Sequence, residues 1–148
     1  MLGVVPSYTA LGMAALLPHS KIAYSPKADV LVDDKAFSGI TQRSEVLSAQ
    51  KGLAIKGDDL VRMAREDARE LVRGKNVVYL YHNTIDAIGD DAKTEDKTFT
   101  AVRDAVDEVC NIVSFLVNTL NARYVFITAD HGFVYTDARP GETERNRG

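Results

Sequence analysis

With one cysteine, Cys110, the chain has no partner for an internal disulfide, so it is not a disulfide-stapled secreted scaffold. The position of Cys110 within a helical pattern predicts a buried, inert thiol in a reducing compartment. Basic charge is not in excess: 18 Lys and Arg stand against 21 Asp and Glu, for a formal net charge of −3. That removes a global electrostatic reason to bind nucleic acid and leaves only a local basic patch open. Glycine-rich phosphate loops of the G-x-G-x-x-G and G-x-x-x-x-G-K-[ST] types are missing, which weakens the reading of a nucleotide-binding or receiver-like domain. The first residues carry no Lys or Arg before Lys21, but there is no basic leader segment and Pro6 to Thr9 interrupt the apolar run. Neither a secretory leader nor a membrane span is expected, and a cytoplasmic location is.

What remains is an ordinary globular composition, 45% apolar and 26% charged, suited to one domain. That domain is expected over residues 1–138, with 139–148, "RPGETERNRG", as a flexible tail poor in apolar residues. "GVV" before Pro6 reads as a strand end, and Thr9 to Leu17 as a short helix stopped by Pro18. "KIAY" and "ADVLV" are short candidate strands. Helices are predicted over Thr41 to Gln50, closed by Gly52 within "QKGLAI", and from an Asp58 or Asp59 N-cap to about Arg73, with Gly74 past its end. "NVVYLYHN" is a continuous apolar run of the kind covered on both faces. The longest helix is predicted from Thr98 to Asn121, with Val102, Val106, Val109, Val113, Leu116 and Leu120 on its apolar face. "ARYVFITA" then reads as a second buried strand. The alternation predicts an α/β fold with a mainly parallel sheet flanked by helices, and ligands in such sheets gather beyond the carboxyl ends of strands.

Three clusters stand at such ends. Asp130 and His131, followed by Gly132, offer oxygen and nitrogen donors suited to zinc or manganese. From those two residues alone, an Asp capping a turn and a packed His is the simpler reading. In "HNTIDAIGD", Asp86 and Asp90 bring two carboxylates together, which repel unless a cation or proton lies between them. Taken alone, a solvated acidic loop is the better reading of them, and His82 reads as a hydrogen-bonded partner behind a site or as a structural histidine. In "PSYTALG", Thr9 or Ser7 sits at a helix start, either as a plain N-cap or as a nucleophile beside the positive end of the helix dipole.

The order of the three is more specific than any one of them. Through "PSYTALGMAALLPH", "YHNTIDAIGD", "TADHGF" and the "ETERNRG" tail, the chain resembles the PglZ domain family of BREX and phage-growth-limitation defence systems. That family is a branch of the alkaline phosphatase superfamily. The resemblance implies a partial alkaline-phosphatase-like core that hydrolyses phosphate esters with two divalent metals, usually zinc. It implies Thr9 as nucleophile, three residues after Pro6, with Asp86 and Asp90 at one metal and Asp130 and His131 at the other. The superfamily's D-x-x-G-H element reads D-x-x-G-D here, and Asp90 in place of histidine shifts preference towards manganese or magnesium.

The superfamily also has an Asp upstream of the nucleophile and a His downstream of D-H-G. Neither falls within this chain, so the sequence is expected to be an internal fragment. Such a fragment would bind at most one metal weakly and hydrolyse little. In the parent, the resemblance implies a phosphate-ester substrate, nucleic acid among the options, and other phage-defence proteins as partners. Self-association through an unpaired sheet edge is a further expectation. The alternative is a degenerate domain serving as a protein-interaction module, favoured by Asp90.

Overall fold

The computed structural model describes residues 8–84 and 98–132. Helix α1 (Thr9–Leu16) ends where Leu17 turns extended, at φ −78° and ψ 149°, the conformation favoured before a proline such as Pro18. Strands β1 (Ile22–Tyr24) and β2 (Val30–Val32) pair antiparallel, with Ile22 opposite Val32. Helix α2 (Ile40–Leu47) runs on into a 3-10 turn, Ser48–Gln50. Strand β3 (Gly52–Lys56), helices α3 (Gly57–Arg62) and α4 (Arg65–Val72), strand β4 (Val77–Tyr81) and helix α5 (Thr98–Asn118) follow. β3 and β4 pair in parallel from Gly52 opposite Val77 to Lys56 opposite Tyr81. α3 and α4 supply the crossover that a parallel pair requires.

Alternation along the two parallel strands divides the core into two layers. Ala54, Val77, Tyr79 and Tyr81 face a cluster with Leu11, Ala14 and Leu17 of the α1 segment, Val30 and Val32 of β2, Phe37, and Leu47 of α2. Ile55, Val78 and Leu80 face the other way, onto Leu60, Ala68, Ile112 and Leu116 from α3, α4 and α5. Both faces of the parallel pair are therefore covered by helices, as the buried runs demanded. Leu47 and Leu60 are fully buried, each contributing about 1.5–3 kcal/mol by burial. The outer edge of β3 is closed by α2: the Ser44 hydroxyl accepts from Ala54 N–H at 2.9 Å and donates to Ala54 O at 3.1 Å.

The α/β class holds, and several details differ from the sequence reading. The long helix predicted up to Arg73 is two helices, broken where Met63 and Ala64 are extended, at ψ 153° and 144°. Leu60 and Ala68, one on either side of the break, are both fully buried. Asp58 and Asp59 lie in the first turn of α3, after Lys56 at the N-cap, where carboxylates complement the helix dipole. Gly74 stands just beyond α4 with φ +72°, as its terminal position required. Gly52 to Lys56, read only as a helix stop, is a strand. The buried face of α5 is set by Ala105, Ile112 and Leu116, leaving Val106 exposed.

Cys110 is exposed rather than buried, because at 100° per residue it lies nearly opposite Ile112 on that helix. The largest difference is "ARYVFITA", which joins no strand pairing among the described residues. Val125 packs against the α5 layer, while Tyr124, Phe126 and Ile127 are 75%, 89% and 70% exposed. A strand buried on both sides needs a layer on each, and among the described residues only one covers this segment. "GVV" and residues 139–148 lie outside the described residues. Among the described residues no helix is long and apolar enough to cross a membrane.

Candidate functional site

Thr9 is the first residue of α1, after Tyr8 in extended conformation, and no side chain among the described residues caps the helix. Its hydroxyl is therefore not consumed as an N-cap. It lies 3.1 Å from His131 Nε2, joining parts of the chain 122 positions apart. His131 Nδ1 is 3.1 Å from Gly132 O, so in the neutral ring Nδ1–H donates there and Nε2 accepts the Thr9 hydroxyl. Asp130 completes the group, with Oδ2 3.6 Å from His131 Nε2. The Asp130 and His131 side chains are only 12% and 24% exposed.

Asp130 Oδ2 is buried and, among the described residues, has no hydrogen-bond partner. An ionised oxygen held this way is costly unless a cation or donor faces it. Hydroxyl, carboxylate and imidazole within this reach form a donor set suited to a zinc-like or manganese-like ion. Among the described residues, no three His, Cys, Asp or Glu side chains come together as a metal-holding group.

Gly12 brings the later segment against the helix. A Cβ there would lie 2.2 Å from Asp130 O and 2.7 Å from its carbonyl carbon, so only glycine lets the Asp130 backbone approach α1 so closely. The rest of α1 is apolar on every side, and Leu11 and Ala14 bury against β2 and Phe37. Tyr79 Oη donates to Leu16 O at 2.9 Å, fixing the far end of the helix to β4.

His82 follows β4 and has partners of its own. Its Nε2 is 2.6 Å from Glu108 Oε2 on α5, and Thr84 Oγ1 donates to the same oxygen at 2.5 Å. The Thr84 hydrogen bond, with help from His82, holds the Glu108 carboxyl below its ordinary range. His82 is thus a hydrogen-bonded histidine at a strand end and not one of the groups around Thr9. Asp86 and Asp90 lie outside the described residues.

A cavity of about 640 Å³ opens beside Thr9, lined also by Tyr8, Met13, Phe37 and Arg43. The Arg43 guanidinium stacks 4.4 Å over the Tyr81 ring. Burial raises the Tyr81 phenol above its usual pKa, and the nearby Arg43 charge partly offsets this. Gly12, Thr84, Glu108 and Arg43 were not singled out from sequence. For Gly12 a signal existed, since glycine inside a helix needs a packing reason; Arg43 left none.

An α/β core with covered parallel strands, and a hydroxyl, imidazole and carboxylate gathered at one helix start, define the class: an arrangement compatible with part of an alkaline-phosphatase-like core. The family model described as the BREX system PglZ alkaline phosphatase-like domain matches residues 1–147, and the chain belongs to that family. It is 50% identical over 136 residues to the alkaline phosphatase-like protein BrxZ of Escherichia coli O9:H4 (strain HS), covering 90% of this chain. It is 44% identical over 137 residues to the alkaline phosphatase-like protein PglZ of Bacillus cereus (strain H3081.97), covering 91% of this chain. In each case the chain spans 16% of the relative's own length. No solved structure matches.

Proposed function

We propose that this chain is the nucleophile-bearing core of a metal-dependent phosphoesterase acting in the cytoplasm within a bacterial phage-defence system. The observation that carries the reading is the 3.1 Å approach of Thr9 Oγ1 to His131 Nε2 across 122 positions, beside the buried Asp130 Oδ2, which has no hydrogen-bond partner among the described residues. Asp130 and His131 would hold one divalent ion, zinc, manganese or magnesium, with Thr9 beside it. Asp86 and Asp90 are proposed for a second. Bound there, such an ion supplies positive charge that lowers the pKa of a hydroxyl and stabilises negative charge developing on phosphate oxygens.

The remaining roles belong to the chain's own residues. Thr9 Oγ loses its proton to solvent and attacks phosphorus in line as the bond to the ester oxygen breaks, the departing oxygen taking up a proton. Water then cleaves the bond from Thr9 to phosphorus, restoring the hydroxyl and releasing phosphate from a monoester or a phosphomonoester from a diester. His131, its ring held by Gly132 O, would offer Nε2 to that ion beside the Thr9 hydroxyl. Gly12 holds the Asp130 backbone against α1, so that oxygen and nitrogen donors keep their spacing. The substrate is a phosphate ester, with nucleic acid one option within that class. Other defence proteins are the proposed partners.

A second reading has one observation in its favour. The exposed Tyr124, Phe126 and Ile127 suit a module that binds another protein or a second copy of itself without hydrolysing anything. Thr9→Ala and Asp130→Ala in the full-length parent separate the two. The hydrolase reading expects at least about a hundredfold loss of phosphodiester turnover for each. It also expects weaker Mn²⁺ or Zn²⁺ binding for Asp130→Ala. Turnover and phage resistance that survive both changes would sink it.

A further inference from the structure

Arg43 is an anchored cation in the wall of the cavity that opens at Thr9. Its Nε donates to Phe37 O and its Nη2 to Ser38 O, both at 3.1 Å, and its Cζ lies over the Tyr81 ring, 4.4 Å from the centroid. These contacts fix the guanidinium without neutralising it: carbonyls and a ring carry no formal charge, and among the described residues Arg43 forms no ion pair. A guanidinium has five N–H donors in a rigid fork, and only two are engaged by these carbonyls. Asp29, the acid in the same wall, is held by the Ser25 hydroxyl at 3.1 Å. The rest of the lining is mainly apolar, with Tyr8, Met13, Val30, Leu31 and Phe37. A cavity of about 640 Å³ equals roughly twenty water volumes, far more than inorganic phosphate needs and within the usual range of organic-ligand sites.

Resting on the reading of Thr9 as nucleophile, we infer that Arg43 is a substrate-binding residue. It pairs with an anionic oxygen of a phosphodiester whose ring-bearing organic arm lies along the apolar wall. The immobilised fork matches the paired oxygens of a phosphate or a carboxylate, and the adjoining Thr9 nucleophile selects the phosphodiester. The ring-lined wall favours an aryl or heterocyclic arm over a short alkyl one.

The test uses the full-length protein that contains this chain, with bis(4-nitrophenyl) phosphate as probe. Arg43→Gln should raise KM about tenfold, the size of one charge-assisted hydrogen bond, with a smaller effect on kcat. Arg43→Lys should fall between, since an ammonium keeps the charge but not the fork. Ala36→Phe, which fills the cavity from another wall residue, should also raise KM. In the unmodified protein, the probe should slow phenylglyoxal modification of Arg43, followed by peptide mass, at least about threefold.

An unchanged KM in Arg43→Gln, or Arg43 modified equally fast with and without the probe, overturns the inference. If Arg43→Gln fails to fold, judged by circular dichroism, Ala36→Phe and the modification rate decide. Thr9→Ala keeps the two readings apart. It should abolish turnover while the probe still protects Arg43. Turnover in Thr9→Ala refutes the nucleophile alone, and protection lost in folded Thr9→Ala counts against Arg43 as a substrate contact.

Discussion

Replacing Gly12 with alanine should destabilise the protein although it improves the helix. In isolation the change favours α1 by about 0.5–1 kcal/mol. The new Cβ would lie 2.2 Å from Asp130 O, where real contacts stay beyond 3.0 Å, so the Asp130–His131 turn must withdraw by about 0.8 Å. Overpacking of that kind costs about 1–3 kcal/mol. If the displacement falls along the Thr9–His131 line, 3.1 Å becomes about 3.9 Å, beyond hydrogen-bond reach, with a further loss of about 0.5–1.5 kcal/mol. The net expectation is a destabilisation of about 0.5–4 kcal/mol, read as a lower urea midpoint with an unchanged slope. A double-mutant cycle isolates the mechanism. Thr9→Val should cost about 1 kcal/mol alone and nearly nothing in the Gly12→Ala background. Gly12→Ala with equal or greater stability, and the same Thr9→Val cost in both backgrounds, would refute the account.

Other outcomes follow from single contacts. Ser44→Ala leaves the N–H and carbonyl of buried Ala54 without the hydroxyl that serves both, and should cost about 1–3 kcal/mol in chemical denaturation; a change under about 0.3 kcal/mol would show water replacing it. Glu108 is held below its ordinary carboxyl range in the folded state, so its stabilising contribution is full above the ordinary value and is lost as pH falls through the lowered one. Thr84→Val should move the Glu108 titration, followed by carboxyl NMR shifts, back up towards the ordinary range, and no movement would exclude the hydroxyl as the main cause. Tyr81 is raised by burial and partly relieved by the Arg43 charge, so in Arg43→Gln its phenol should titrate at still higher pH in an absorbance titration.

How much of this was legible in the sequence depends on the range of the forces involved. Helix α1, the hairpin strands, β4 and the length of α5 follow from local signals such as Pro18, Gly74 and apolar periodicity, which act within a few residues. The meeting of Thr9 with His131 was reachable only through the order of motifs, because nothing local links positions 122 apart. Strand β3 was missed because "GLAIK" is short and follows a helix stop, so its pairing with Val77–Tyr81 carries more of the assignment than its own composition. The Thr84–His82–Glu108 group was hidden for a similar reason: Glu108 sits in a charged stretch of α5 that reads as a solvated face, and only the packing of α5 brings it to β4.

The segment from Ala122 to Ala129 is where sequence and structure make opposite quantitative statements. Its β-branched and aromatic residues read as a strand buried on both sides, and a buried Phe126 truncated to alanine would cost about 3–5 kcal/mol. In the structure Phe126 is 89% exposed and Ile127 70%, so Phe126→Ala and Ile127→Ala should each stay within about 0.5 kcal/mol in this chain. Val125 lies between Tyr124 and Phe126 and packs against the layer formed by Ile112 and Leu116, so Val125→Ala should be the costly change, about 1–2 kcal/mol. Among the described residues the covering layer ends at Val125: Ile127, two positions on and so on the same side of an extended segment, is already exposed. Were Phe126→Ala to cost as much as a core truncation while Val125→Ala cost little, the segment would have to lie the other way up. The Asp130–His131 turn that continues it would then lose the support by which it reaches Thr9.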